Sequence, residues 1–332
     1  MRLYAITAQG IPTPLQIDLS SQQVNEQAAT FQNNMREYAI AKNAVRIRKA
    51  VDKLCKWLNS QLTESLTELT AQFQPQHIIL IPHVAWHLLP IHLVTIDNEP
   101  LAVRYPLHYL PSIQILRLIR ERLAAKQDKG CIVANPTQDL TGAEQESQTV
   151  YNLRGQTDKL LSRQDANLSA VRNVLDNTQH SHFSCHGCFD QDLTKAGLLL
   201  ADGLLAAKEM FTSIRMDNPR LVVMSACETA QIKPTLADEY MGLSSSFLFA
   251  GAHNVLATQW PVDDNASRLL IENFYQGLND GLSAVNALQQ SQHQLRNMSI
   301  ETIKARSPNA TITRSYNNPY YWAGFVLIGD GE

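Results

Sequence analysis

Short, strongly apolar runs, each followed by a helix-length segment, recur through the second half of this chain: Cys131–Ala134, His182–Cys185, Arg220–Ala226 and Asn254–Trp260, with Phe325–Ile328 closing the series. Runs of this length without polar alternation suit strands buried on both faces, and strands of that kind alternate with helices in a largely parallel sheet. The intervening segments read as helices over 144–153, 166–175, 208–214, 237–250 and 266–278, with another beginning at Ser283. Acidic residues sit in the first turn of the 144–153 segment, where they suit the positive end of a helix. Gly197–Leu204 holds an Asp-Gly pair between apolar residues and predicts a hairpin flap beside the sheet. A polar stretch, 299–318, precedes the last strand.

The front of the chain has a different pattern. Leu3–Thr7 and Leu15–Leu19 alternate around Gly10, Pro12 and Pro14, as in a hairpin, and residues 22–74 turn helical. Val45, Ile47, Val51, Leu54, Trp57, Leu58 and Leu62 recur at three and four spacing, with Arg46, Arg48, Lys49, Lys53 and Lys56 between them; this is a packed helix with a basic outer face that could also receive a partner. Short strands are expected at His77–Ile81, Trp86–Ile91 and Val103–Leu110, then a helix over 112–125. The fold class is therefore α/β, and the division expected is an N-terminal part, 1–127, and a larger part, 128–332.

The ends of the apolar runs carry the chemistry. Cys227 follows Leu221-Val222-Val223-Met224, and His186-Gly187 closes the run His182–Cys185, 41 residues earlier (227 − 186). A thiol near its ordinary pKa is only partly thiolate at neutral pH, and an imidazole beside it can take its proton and later protonate a departing amine. Gly187 lets backbone approach a reacting carbonyl, and the backbone N–H groups of Gly187 and Cys227 are candidate oxyanion donors. A lone cysteine after an apolar strand is most often a core residue, as is a histidine in a strand; the pairing at two loop-facing strand ends raises both above that base level. Cys185 alternates away from His186 and reads as buried.

Other chemistries find little support. The net charge of -3 gives no basic excess for a nucleic-acid backbone. No GxxxxGK[ST] or GxGxxG loop occurs. Cys185 and Cys188 lack two more soft ligands at zinc spacing, and Asp190, Asp192 and Asp202 are too scattered for calcium, so neither a metal nor another cofactor is expected. Five cysteines, an odd number, suit free thiols in a reducing compartment. Met1-Arg2-Leu3-Tyr4 has no apolar signal core and no run of about 18 apolar residues follows, so the expectation is a cytoplasmic protein with no membrane contact.

Five segments in order, His182-Phe183-Ser184-Cys185-His186-Gly187, LVVMSACETA at 221–230, MGLSSSFLFAGA at 241–252, NVLATQWPVDD at 254–264 and YYWAGFVLIG at 320–329, resemble the CHAT family, caspase-like domains of the clan that also holds separases, metacaspases and gingipains. The resemblance runs from about His77 to the C-terminus and is looser over residues 1–75. It implies a caspase-like sheet with helices on both faces, a His186–Cys227 dyad in 128–332, and an N-terminal hairpin and helical segment forming a degenerate companion half. It further implies a cysteine endopeptidase acting on protein substrates, with an activating protein partner in a bacterial defence or cell-death pathway.

Specificity follows from the same resemblance. Gln259–Asp264 aligns with the strand and loop that hold the caspase pocket for the residue before the cut, so Trp260, Asp263 and Asp264 are the expected substrate contacts. Caspases place a basic group there; this chain offers acids, which favours a basic or at least non-acidic residue. Asp263 or Asp264 could equally cap the following helix, and Asp238 and Glu239 are weaker pocket candidates. The alternatives are a catalytically silent scaffold that uses its helical region and flap for binding, and a hydrolase or transferase of small amides.

Overall fold

Strands buried on both faces need helices above and below them, and the molecule supplies both. The computed structural model describes residues 2–6, 13–41, 43–122, 129–176, 178–188, 192–216, 219–225, 232–234, 240–308 and 310–332. Its central sheet has eight strands: β1 (Ile78–Leu80), β2 (Leu107–Tyr109), β3 (Gly130–Ala134), β4 (Lys159–Ser162), β5 (His180–Ser184), β6 (Leu221–Met224), β7 (Asn254–Thr258) and β8 (Phe325–Gly329). Their order is β1-β2-β8-β7-β6-β5-β3-β4, and every neighbouring pair is parallel except β7 and β8. Strands from before and after residue 128 thus share one hydrogen-bonded sheet. Every residue of β3, β6, β7 and β8 is buried, as the unbroken apolar runs require.

The helices longer than a single turn among the described residues are α1 (Ser21–Ile40), α2 (Ala44–Phe73), α3 (Ile113–Arg120), α4 (Thr141–Leu153), α5 (Leu168–Leu175), α6 (Ala207–Thr212), α7 (Leu243–Ala250), α8 (Asp264–Asn279), α9 (Ala284–Arg296) and α10 (Ile300–Arg306). The chain runs from β3 outward to β4 through α4, then returns across β3 to β5 through α5. Right-handed crossovers in opposite directions place their helices on opposite faces. Accordingly α4 packs on α8 and α8 on α9, while α6 packs on α7. The ends of β3 and β5 are where the chain parts toward the two faces, the crevice in which α/β sheets bind ligands.

Several elements differ from the sequence expectation. Trp86–Ile91 is not a strand: 84–88 and 91–93 are turns of 3₁₀ helix. Trp86, Leu89 and Leu93 are all buried there, without the alternation a one-sided strand would show, and Trp86 lies against Trp57 of α2. Val103 belongs to a single helical turn, 101–104, ahead of β2. Helix α7 begins only at Leu243, because Gly242 is extended (φ -161) and Tyr240–Gly242 pairs antiparallel with Ile232–Pro234. The edge strand β4 was not expected, and the polar stretch contains α10, whose Ser299 hydroxyl caps the Thr302 N–H at 3.1 Å. The front hairpin forms between 2–5 and 13–16, and the flap pairs 197–199 with 204–206 and adds Gly187-Cys188 as a third strand.

A buried histidine joins the front of the chain to its end. His92 donates through Nε2–H to the Ala323 carbonyl (2.9 Å), accepts at Nδ1 from the Tyr109 hydroxyl (2.7 Å), and stacks on Trp260 at 9°. Burial pushes its pKa down to about 4, against the raising effect of the Ala323 contact. A histidine lowered in the folded state binds fewer protons there than in the unfolded chain. Its contribution is complete above the unfolded value of about 6.5 and is lost as pH falls toward the folded value. Denaturant titrations should therefore show up to about 3 kcal/mol less stability near pH 4 than at pH 7 from this residue. His92→Asn should flatten that slope; equal slopes in the two chains would remove His92 as its source.

Candidate active site

The candidate site grows from the ends of β5 and β6. Their register pairs Phe183 with Met224, the same 41-residue offset (224 − 183) that separates His186 from Cys227. The pairing continues one step further through the Ser225 N–H to Phe183 O bond, 2.9 Å. Cys227 itself, with Asp190, Asp238 and Glu239, lies outside the described residues.

One side chain ties these strand ends together. Glu146, in the second turn of α4 and 4% exposed, accepts from Ser184 (2.8 Å) and His182 Nε2 (3.1 Å) at Oε1, and from Ser225 (2.9 Å) at Oε2. The Tyr275 hydroxyl of α8 stands 3.2 Å from His182 Nδ1. If Nε2–H of His182 donates to Glu146, Nδ1 is left to accept from the Tyr275 hydroxyl. The serines lie two residues before His186 and Cys227. Helix α4 starts at Thr141, so of the two acids expected in its first turn Glu144 lies there, while Glu146 falls further inside the helix on its sheet-facing side.

His186 lies two residues beyond β5, part-exposed. Its Nε2 meets both carboxylate oxygens of Asp139, at 2.9 and 3.0 Å, which leaves Nδ1 for a second partner. Asp139 stands on the turn that follows β3. Asn135 shapes that turn in the left-handed region (φ 45), donating to Glu144 (2.9 Å) and accepting from the Leu140 N–H (2.9 Å), while its own N–H bonds Ser184 O (2.9 Å). The Thr137 hydroxyl and His186 hold the Asp139 carboxyl below its ordinary range, so it stays ionised as an orienting group. The sequence reading did not single out Asp139. Its signal was the one that marked His186: a polar side chain in the loop just past the end of a buried strand.

Gly187 opens the flap. The Leu199 N–H donates to His186 O (2.9 Å) and Gly187 stands opposite Leu198. Since bonding residues alternate along an antiparallel ladder, the Gly187 N–H is directed away from Leu198.

Among the described cysteines none is activated. Burial pushes Cys55, Cys131 and Cys185 up to about 12 and raises Cys188 as well. Cys185, 1% exposed, sits in the core next to His186.

The three expected substrate contacts separate. Trp260 is fully buried, with Nε1–H on the Tyr320 carbonyl (3.2 Å) and its ring near Phe31 and His92. It presents no side-chain surface to a substrate, which corrects the expectation; it anchors the loop from inside. Asp263 caps α8 through Oδ1 to the Ala266 N–H (3.0 Å). Asp264 is open to solvent on the first turn of α8 and makes no ion pair among the described residues. Partial desolvation, then Asp263 and Glu146, raise its carboxyl.

Residues 49–330 match the CHAT domain family. Tetratricopeptide repeat protein 28 of Homo sapiens is 34% identical over 110 residues, 33% of this chain and 4% of that protein, and the Mus musculus protein of the same name is 33% identical over 110 residues. The match therefore spans a small fraction of those relatives' length. The fold is similar to separase in a crystal structure of the Saccharomyces cerevisiae separase-securin complex, with a TM-score of 0.54 and 17% identity over 76% of this chain and 15% of that chain. A second crystal structure of that complex gives a TM-score of 0.53 at 16% identity.

Glu146 makes a stability prediction independent of any activity. Glu146→Ala would leave Ser184, Ser225 and His182 without their acceptor, and chemical denaturation should show a loss of about 3–5 kcal/mol. A loss below about 1 kcal/mol would mean that water replaces the carboxylate and that the strand ends do not depend on it.

Proposed function

This chain belongs to the CHAT domain family, and on that premise we propose that it is a cysteine endopeptidase acting on protein substrates. The observation that carries the reading is the His186–Asp139 pair at the end of β5, beside the strand that runs on to Cys227. With Nε2–H fixed on Asp139, Nδ1 is free to take the Cys227 proton. Sulfur then bonds to the substrate carbonyl carbon, and the Gly187 and Cys227 N–H groups bind the oxyanion. The C–N bond breaks as the imidazolium gives its proton to the departing amine. Water, deprotonated by His186, attacks the thioester and releases the acid and the thiol.

The residue before the cut is basic in this reading. Asp263 is engaged as a cap, whereas Asp264 is an acid beside two others with no ion-pair partner among the described residues, so a lysine or arginine side chain would relieve like-charge repulsion as it binds. Activation by a protein partner belongs to the same proposal, with the exposed basic face of α2 as the recruiting surface. A second reading, a silent binding module, draws on the relatives whose name describes them as repeat proteins.

Cleavage of a diverse peptide library, with and without cell lysate as a source of activator, tests the proposal. Wild type should cut after Arg or Lys, while Cys227→Ala and His186→Ala should not. Cutting by neither wild type nor variants in both conditions would favour the binding module. Asp139→Asn should fold normally and lower kcat by about 100-fold, through loss of the imidazole's orientation. Asp264→Asn should lower kcat/KM for Arg and Lys peptides by about 10-fold or more, the worth of a charge-assisted contact; an unchanged value would leave this acid no pocket role.

A further inference from the structure

Helix α2 spans 30 residues and about 45 Å. Its inner face, from Ile47 to Leu69, is buried against the core. On the outer face the exposed residues Lys49, Lys53, Lys56, Ser60, Glu64 and Glu68 recur at spacings of four, three, four, four and four, the course of one helical stripe. The stripe is divided by sign, lysines before Ser60 and glutamates after it. None of these five charges has an ion pair among the described residues.

This order is unfavourable for a helix on its own. Lys49 and Lys53, like Glu64 and Glu68, stand four apart as like charges, where opposite signs would stabilise. The two halves are too far apart to compensate each other: the eleven residues from Lys53 to Glu64 cover about 16 Å of axis, against a screening length of about 8 Å. An acidic peptide or an anionic surface would answer the lysines and be repelled by the glutamates. A second α2 laid antiparallel across a two-fold axis answers both. With the axis at the Leu58–Asn59 bond, Lys49 lies nine residues before Leu58 and Glu68 nine after Asn59, while Lys53 lies five before and Glu64 five after. One register therefore opposes Lys49 to Glu68 and Lys53 to Glu64, and the symmetry repeats both pairs. Trp57, part-exposed and packed on Trp86 with ring centroids 6.3 Å apart, stands one residue from the axis, at the centre where aromatic contacts count most in an interface.

We propose that the outer face of α2 is a docking surface for a second copy of this chain, seated antiparallel on it through Lys49–Glu68 and Lys53–Glu64 pairs. In naming the partner of the face to which the functional reading assigns recruitment, the proposal rests on that reading; the pairing itself rests on the charge order of α2.

Exposed ion pairs are individually weak and screened by salt, so the dimer should be weak and salt-sensitive. In sedimentation equilibrium at about 20 mM salt, the average mass of the full chain should rise above that of one chain as its concentration approaches about 0.5 mM, and fall back at about 1 M salt. Two double variants then test the register, both at the wild-type net charge of -3 and both at exposed positions, where substitutions change folding little. Lys49→Glu with Glu68→Lys exchanges the members of one pair and should associate within about twofold of wild type. Lys49→Glu with Glu64→Lys sets glutamate against glutamate and lysine against lysine, and should weaken association about 10-fold or more. A wild-type chain that stays single at low salt and about 0.5 mM, or two variants that associate equally, would overturn the docking surface. Neither result touches the peptidase reading, which stands or falls on the comparison of wild type with Cys227→Ala in the peptide library.

Discussion

The Glu146 carboxylate is the interaction on which the arrangement of the site depends. Burying an ionised carboxyl is costly, and the cost is met here by three donors from two adjacent strands, His182 and Ser184 of β5 and Ser225 just past β6. Breaking one contact leaves a buried charge short of a partner, so the three are held together. Tyr275 extends the set to α8, so one buried acid registers two strands and two helices at the level from which the candidate catalytic loops depart. A well-packed apolar cluster would be at least as stable. It would not hold both strand ends at fixed hydrogen-bond length, and a dyad drawn from two strands needs that constraint.

A second anchor stands where β7 ends and β8 begins. Trp260 is locked by Tyr320 O and His92, the Gln259 N–H bonds Gly324 O at 2.9 Å, and a Cβ at Gly324 would lie 2.4 Å from Val262 Cγ1 and 3.2 Å from Trp260 Nε1. Only glycine fits there without displacement. The segments TQWPVDD and YYWAGF are therefore two halves of one packing unit: the aromatics and glycine hold the strand, and Asp263 and Asp264 hang from its end.

The parts legible in the sequence were those whose signal is local. Buried strands β3, β6, β7 and β8 announce themselves by apolar runs, whereas β5, His180–Ser184, carries only Phe183 as an apolar residue and is marked by its place in the series, as is His186 just beyond it. Short edge elements carried too few residues: β4 offers only Leu160 and Leu161 as apolar positions, and 84–93 has a strand's composition but packs as 3₁₀ turns under α2. Asp139 was hidden because it is brought to His186 by the parallel pairing of β3 with β5, Ala134 beside Ser184, a relation no spacing encodes. Glu146 had a local signal that the first-turn assignment obscured. It shares a helical stripe with Val150, which is fully buried, and an acid on an apolar stripe marks a buried charge with partners elsewhere.

Asp264 shows how such a site can favour one charge without a dedicated partner. Asp263 spends its carboxylate on the Ala266 N–H and Glu146 on three donors, so each of those acids is compensated locally. Asp264 has no ion pair among the described residues, and its carboxyl is raised first by partial desolvation and then by both neighbours. A cation placed beside Asp264 gains the direct attraction and also removes the repulsion among the three acids. An acidic side chain would add to that repulsion. On the proposed peptidase reading, discrimination between basic and acidic residues would exceed what one ion pair at an exposed position gives, about 1 kcal/mol or less, because the repulsion is already present in the unliganded site. The same proximity links two parts of the structure: the acid that holds the strand ends in register is also one of the groups that raise the Asp264 carboxyl.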